Sequence, residues 1–168
     1  MNYTRDCYFR IDQAQAHLNV LQLICSNKNE SQVEKNIAAY EIASAVKSAL
    51  KYLMCRDGGH FLEAHDLETL VLDAVRCGVQ IPRNVYALLP VLYEYETKAQ
   101  YSVDYKVTLG DLNEVFSPVY EWVLNLLMEF TDGAYEVLKG QVPPALLDSY
   151  KSKMHFVMDY AELLPKYA

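Results

Sequence analysis

Between Ala38 and Leu53 the chain spaces its apolar residues as an α-helix does. At about 100° per residue, Ala38, Ala39, Ile42, Ala43, Val46, Ala49, Leu50 and Leu53 fall on one broad arc, and Glu41, Ser44, Lys47, Ser48 and Lys51 fall opposite. Alanine supplies much of that arc, and so thin a face predicts that a neighbouring helix packs closely against it. Ser31 and Glu34 have the spacing of a capping box, so the helix is predicted to start near Ser31. It must end near Asp57, where Gly58-Gly59 bring backbone freedom and poor helix propensity. A loop then leads to Asp66, a favoured N-cap for a third helix carrying Leu67, Leu70 and Val71 and stopping at Gly78.

The other segments follow the same logic. Cys7, Ile11, Ala14, Leu18, Leu21 and Cys25 step alternately by four and three, which predicts a first helix of about 25 residues. A short loop at 26–30 then makes the first two helices an antiparallel hairpin. Pro82 suits the first turn of a fourth helix, and Pro90 inside that pattern predicts a kink or two short pieces. Residues 101–107 read as irregular. Thr108 and Asp111 cap a fifth helix reaching about Phe130, continuous or restarted at Ser117-Pro118. Leu147, Tyr150, Met154, Val157, Ala161 and Leu164 outline a last helix. The expected fold is all-α: an antiparallel up-and-down helical bundle over 1–138, with an additional C-terminal helix in 139–168 packing on the same domain.

Composition sets the limits of function. At 168 residues and 52% apolar, the chain has enough material for one sizeable core. No stretch approaches the roughly 20 apolar residues of a membrane span. The opening Met-Asn-Tyr-Thr-Arg-Asp lacks the apolar region of a signal peptide, so a cytoplasmic protein with no membrane partner is expected. A net charge of −7 argues against strong non-specific nucleic-acid binding, which needs clustered Lys and Arg. The cysteines at 7, 25, 55 and 77 form no Cys-x-x-Cys pair and read as small buried hydrophobes rather than as a metal site or disulfides. No zinc spacing or phosphate loop is present, so neither metal nor cofactor is expected.

Ala45-Val-Lys-Ser-Ala49-Leu50-Lys51, a Gly-containing loop, and His65-Asp66-Leu67-Glu-Thr-Leu70 resemble the core signature of the HEPN family. Ala14-Gln-Ala16-His17-Leu18 resembles its first helix, and Leu88 to Tyr101 its later part, so the resemblance covers roughly residues 5 to 130. It implies a small helical bundle that forms homodimers and acts either as an RNase or as the partner of a small nucleotidyltransferase. The RNases of the family are similar to one another in an Arg, then four to six intervening residues, then a His. Here Gln100 stands at the Arg position of an Ala99-Gln100-Tyr101 segment, and the next His is His155. Gln carries no fixed charge for a phosphate and no imidazole is near, so the resemblance implies a non-catalytic member.

Such a member would bind a nucleotide or an RNA end. The candidate ligand-binding residues are Lys47, Lys51 and Arg56 on one helical strip, His65 beside the loop, and Gln100, Tyr101 and Tyr105. Two alternatives stand beside this. Arg10 and His17, seven apart on the first helix, formally match the RNase spacing and would serve a metal-independent RNase of a toxin or defence system. The cluster of Tyr86, Tyr93, Tyr95, Tyr101 and Tyr105 would serve a structural dimeric adaptor with a Tyr-rich protein interface.

Overall fold

The computed structural model describes residues 2–26, 31–58, 66–151 and 163–164. Among the described residues seven helices follow in order: α1 (Arg5–Cys25), α2 (Gln32–Arg56), α3 (Leu67–Arg76), α4 (Arg83–Tyr86), α5 (Leu89–Thr97), α6 (Leu109–Leu138) and α7 (Pro144–Lys151). The described residues contain no strand, and the fold is an all-helical bundle.

Local chemistry sets most helix ends. Ser31 Oγ accepts the Glu34 N–H at 3.2 Å and starts α2. Asp66 Oδ1 accepts the Thr69 N–H at 2.7 Å and starts α3. Thr108 and Asp111 form a reciprocal capping box that starts α6. Gly58 and Gly78 take φ of 77° and 81°, the left-handed conformation that closes a helix. At Gly78 the Val79 N–H reaches back to the Ala74 carbonyl and the Gly78 N–H to that of Val75, which gives the carbonyls at the end of α3 donors beyond the helix.

Three elements depart from the sequence reading. The first helix is 21 residues long, because the Thr4 hydroxyl accepts the Cys7 N–H and the chain before it is extended. The pattern holding Pro90 divides into two short pieces, α4 and α5, as expected, but Pro82 stands at the N-cap rather than inside the first turn. Helix α6 runs unbroken through Pro118 to Leu138, eight residues past Phe130, because Ala134 and Leu138 continue its buried stripe. Leu147 and Leu164 of the predicted last helix are buried, with Val142, in the same core as the other helices. The span between them from 152 to 162 lies outside the described residues.

Helix α2 is the hub, packed against α1, α3, α5 and α6. It meets α1 in an antiparallel hairpin, in which Cys7 lies beside Cys55 and His17 beside Glu41. All eight residues of the arc are buried, and so are Ala45, Ser48, Tyr52 and Met54. Ser48, which the periodicity sets opposite the arc, is buried, because it stands seven residues from both Glu41 and Cys55 on the stripe that meets α1. Phe130 of α6 anchors an aromatic cluster with Tyr3, Tyr8 and Tyr52 at centroid distances of 6.0, 5.7 and 6.3 Å.

Candidate functional site

The N-terminal half of α2 presents amide and aromatic side chains at four-residue intervals: Gln32, Asn36 and Tyr40. Opposite them runs the irregular segment 99–106 between α5 and α6. Side chains of α2 hold the end of that segment by its backbone. The Asn36 side chain donates to the Tyr105 carbonyl at 2.8 Å and Gln32 donates to the Val107 carbonyl at 2.9 Å. Between the two walls lies a groove of about 770 Å³. Gln100, Tyr101, Ser102, Val103 and Lys106 line one side; Val33, Ile37, Tyr40 and Glu41 line the other.

The candidate residues separate. Gln100 and Tyr101 lie in the groove with Tyr40, and Tyr101 is 76% exposed. Tyr105 lies just behind, its hydroxyl donating to Glu94 at 3.3 Å. Burial and the neighbouring Glu94 carboxylate push the Tyr105 phenol up to about 12. Lys47 does not face the groove. Its ammonium sits 2.8 Å from Glu96 of α5, whose other oxygen accepts the buried Leu67 N–H at 2.7 Å. Arg56 lies 16 residues beyond Tyr40, about 24 Å along the helix. It is ion-paired to Asp57 at 2.8 Å and Glu129 at 2.5 Å. Its hydrogen bond to Asp57 holds the guanidinium above its ordinary value. Lys51 is half-buried and also engaged. The supposed strip is thus not a free cationic face, since Lys47 and Arg56 answer carboxylates from α5, α6 and the helix end. His65 lies outside the described residues.

Arg10 and His17 each have a contact of their own. The Arg10 guanidinium lies 5.5 Å from the Phe9 ring centroid. His17 Nδ1 meets Glu41 Oε2 at 2.5 Å across the hairpin, on the border of the groove. The Tyr cluster divides as well: Tyr95 is buried, Tyr93 and Tyr105 are half-buried, and Tyr86 and Tyr101 are exposed.

Sequence reasoning missed Gln32, Val33, Asn36, Ile37, Glu41 and Lys106. The available signal was the repeat at 32, 36 and 40 beside exposed Val33 and Ile37, on a face where the main apolar stripe does not run. A second hollow of about 800 Å³ lies along α6 and is lined by Glu129, Asp132 and Glu136. Three carboxylates repel a phosphate, so the groove is the better anion site. No group of three His, Cys, Asp or Glu able to hold a metal occurs among the described residues, and none of their helices is long and apolar enough to cross a membrane.

No family model matches the sequence, and no curated protein or solved structure matches it.

Proposed function

We propose that this chain is a HEPN-like, non-catalytic binding module whose groove takes a nucleotide or an RNA end. The observation that carries the reading is the meeting of Gln100 and Tyr101 with Tyr40 in one groove. The Tyr101 ring offers a platform for a base, a contact worth about 1–3 kcal/mol per base. The Gln100 amide can donate to and accept from a base edge. Lys106 supplies one point charge for a phosphate, and no described residue pairs with it. One lysine seats a terminal phosphate rather than a duplex, in keeping with the net charge of −7. Exposed Val33, Ile37 and Val103 on the rim fit a protein partner, whether a second copy of the chain or the small nucleotidyltransferase that the resemblance implies.

Titration with nucleoside mono-, di- and triphosphates and with short 3′- and 5′-phosphorylated oligoribonucleotides tests this by thermal shift and calorimetry. A ligand at about 100 times its dissociation constant adds about 2.7 kcal/mol, a rise of roughly 5–10 °C in Tm. Tyr101→Ala and Lys106→Ala remove most of that rise, whereas Arg56→Gln, read against its own unliganded baseline, keeps it. The reading fails if no compound shifts Tm, or if Tyr101→Ala binds as tightly as the parent. A stable dimer with no shift favours the structural adaptor instead.

One contact favours a second reading as a metal-independent RNase. With Nδ1 held by Glu41, His17 is oriented as a catalytic imidazole is by a carboxylate, at the edge of the same groove. RNA cleavage that disappears in His17→Ala and weakens in Arg10→Ala supports it; an inactive parent protein rejects it.

A further inference from the structure

We propose that Cys7 and Cys55 are a covalent modification site, closing to a reversible disulfide between the start of α1 and the end of α2 when the protein meets a small aliphatic disulfide. The two sulfurs lie 2.8 Å apart, against about 2.05 Å in a disulfide bond, so closure needs little movement. The antiparallel hairpin produces this meeting between residues 48 positions apart. The Cys7 side is held in place: its thiol donates to the Asn2 carbonyl at 2.9 Å, and the Asn2 N–H donates to the Arg56 carbonyl at 2.7 Å. The Thr4 hydroxyl approaches the Cys7 sulfur at 3.4 Å. Cys7 is fully buried, whereas Cys55 is only partly so, which makes Cys55 the point of entry.

With oxidised glutathione as the oxidant, the Cys55 thiolate attacks one sulfur of the reagent. A mixed disulfide forms and one glutathione thiolate leaves. Cys7 then loses its proton to water and attacks the Cys55 sulfur, expelling the second glutathione. The protein gives up two electrons and two protons, and one glutathione disulfide becomes two glutathione thiols. Burial, together with the Cys7 hydrogen bond, pushes the Cys55 thiol up to about 12, so its thiolate is scarce and the link forms slowly. Once formed it closes a long loop, which restricts the unfolded chain and raises Tm by roughly 10 °C.

The test uses the full chain carrying Cys77→Ser, which removes the exposed thiol on α3. The protein is incubated with oxidised glutathione, quenched with N-ethylmaleimide in denaturant, and digested with trypsin. Cleavage after Arg5, Arg10, Lys51 and Arg56 puts Cys7 in peptide 6–10 and Cys55 in peptide 52–56. The expected result is those two peptides joined, two hydrogens lighter than their sum, and separated by dithiothreitol. The accompanying rise in Tm is absent from a Cys55→Ser variant. Recovery of Cys7 as its maleimide adduct, a mixed glutathione disulfide that persists on Cys55, or linkage of Cys55 to Cys25 overturns the proposal.

Discussion

Replacing Glu96 with alanine should damage three helices at once. Its carboxylate is 11% exposed and spans α2 and α3, with one oxygen 2.8 Å from the Lys47 ammonium and the other accepting the Leu67 N–H at 2.7 Å. Glu96→Ala leaves the Lys47 charge unanswered. Breaking a buried pair in this way costs about 3–5 kcal/mol, and the lower end applies because Lys47 keeps 22% exposure. The buried Leu67 N–H at the start of α3 also loses its acceptor, which adds about 1–3 kcal/mol. A loss of about 4 kcal/mol follows, read as a lower urea midpoint at unchanged slope and a fall of roughly 10 °C in Tm. The double variant Lys47→Met/Glu96→Gln separates the causes. Methionine fills the lysine stem's space and glutamine still accepts from Leu67, so most of the loss should return. If Glu96→Ala costs less than about 1 kcal/mol, water replaces the pair and the reasoning is wrong.

Gly133 lies inside α6, where alanine ordinarily gains about 1 kcal/mol of helix propensity. An added Cβ would meet the Tyr3 ring at separations too close to tolerate. Gly133→Ala should therefore destabilise by about 1–3 kcal/mol, and much less in a Tyr3→Ala background, by urea unfolding of the double-mutant cycle. The Tyr52 hydroxyl is buried without a hydrogen-bond partner among the described residues, so Tyr52→Phe should be neutral or stabilising by about 1 kcal/mol in calorimetry. Burial raises the phenols of Tyr52, Tyr95 and Tyr105 above the ordinary 10, the last to about 12. Their folded pKa exceeds the unfolded value, so their stabilisation is complete below pH 10 and declines as pH climbs through about 12. Absorbance near 295 nm should show the buried Tyr52 and Tyr95 rings ionising only as the far-ultraviolet circular dichroism collapses; their ionisation in an intact fold contradicts this.

The helices were legible because their causes are short-ranged. The stripe from Ala38 to Leu53, the caps at Ser31, Asp66 and Thr108, and the left-handed Gly58 and Gly78 act within a turn or two of chain. The end of α6 was less legible: Pro118 and Gly133 look like interruptions locally, yet burial of Ala134 and Leu138 carries the helix past both.

For the site, sequence alone singled out Gln100 and Tyr101 but could not name what faces them. Tertiary packing joins 99–106 to 32–41, turns Lys47 inward onto Glu96, and commits Arg56 to Asp57 and Glu129. It also sets Cys7 beside Cys55 and Tyr3 against Gly133. Periodicity records which face of a helix avoids water. Which charge answers which, and which thiol meets which, depends on the register in which distant helices come together, and that is decided only when the core closes.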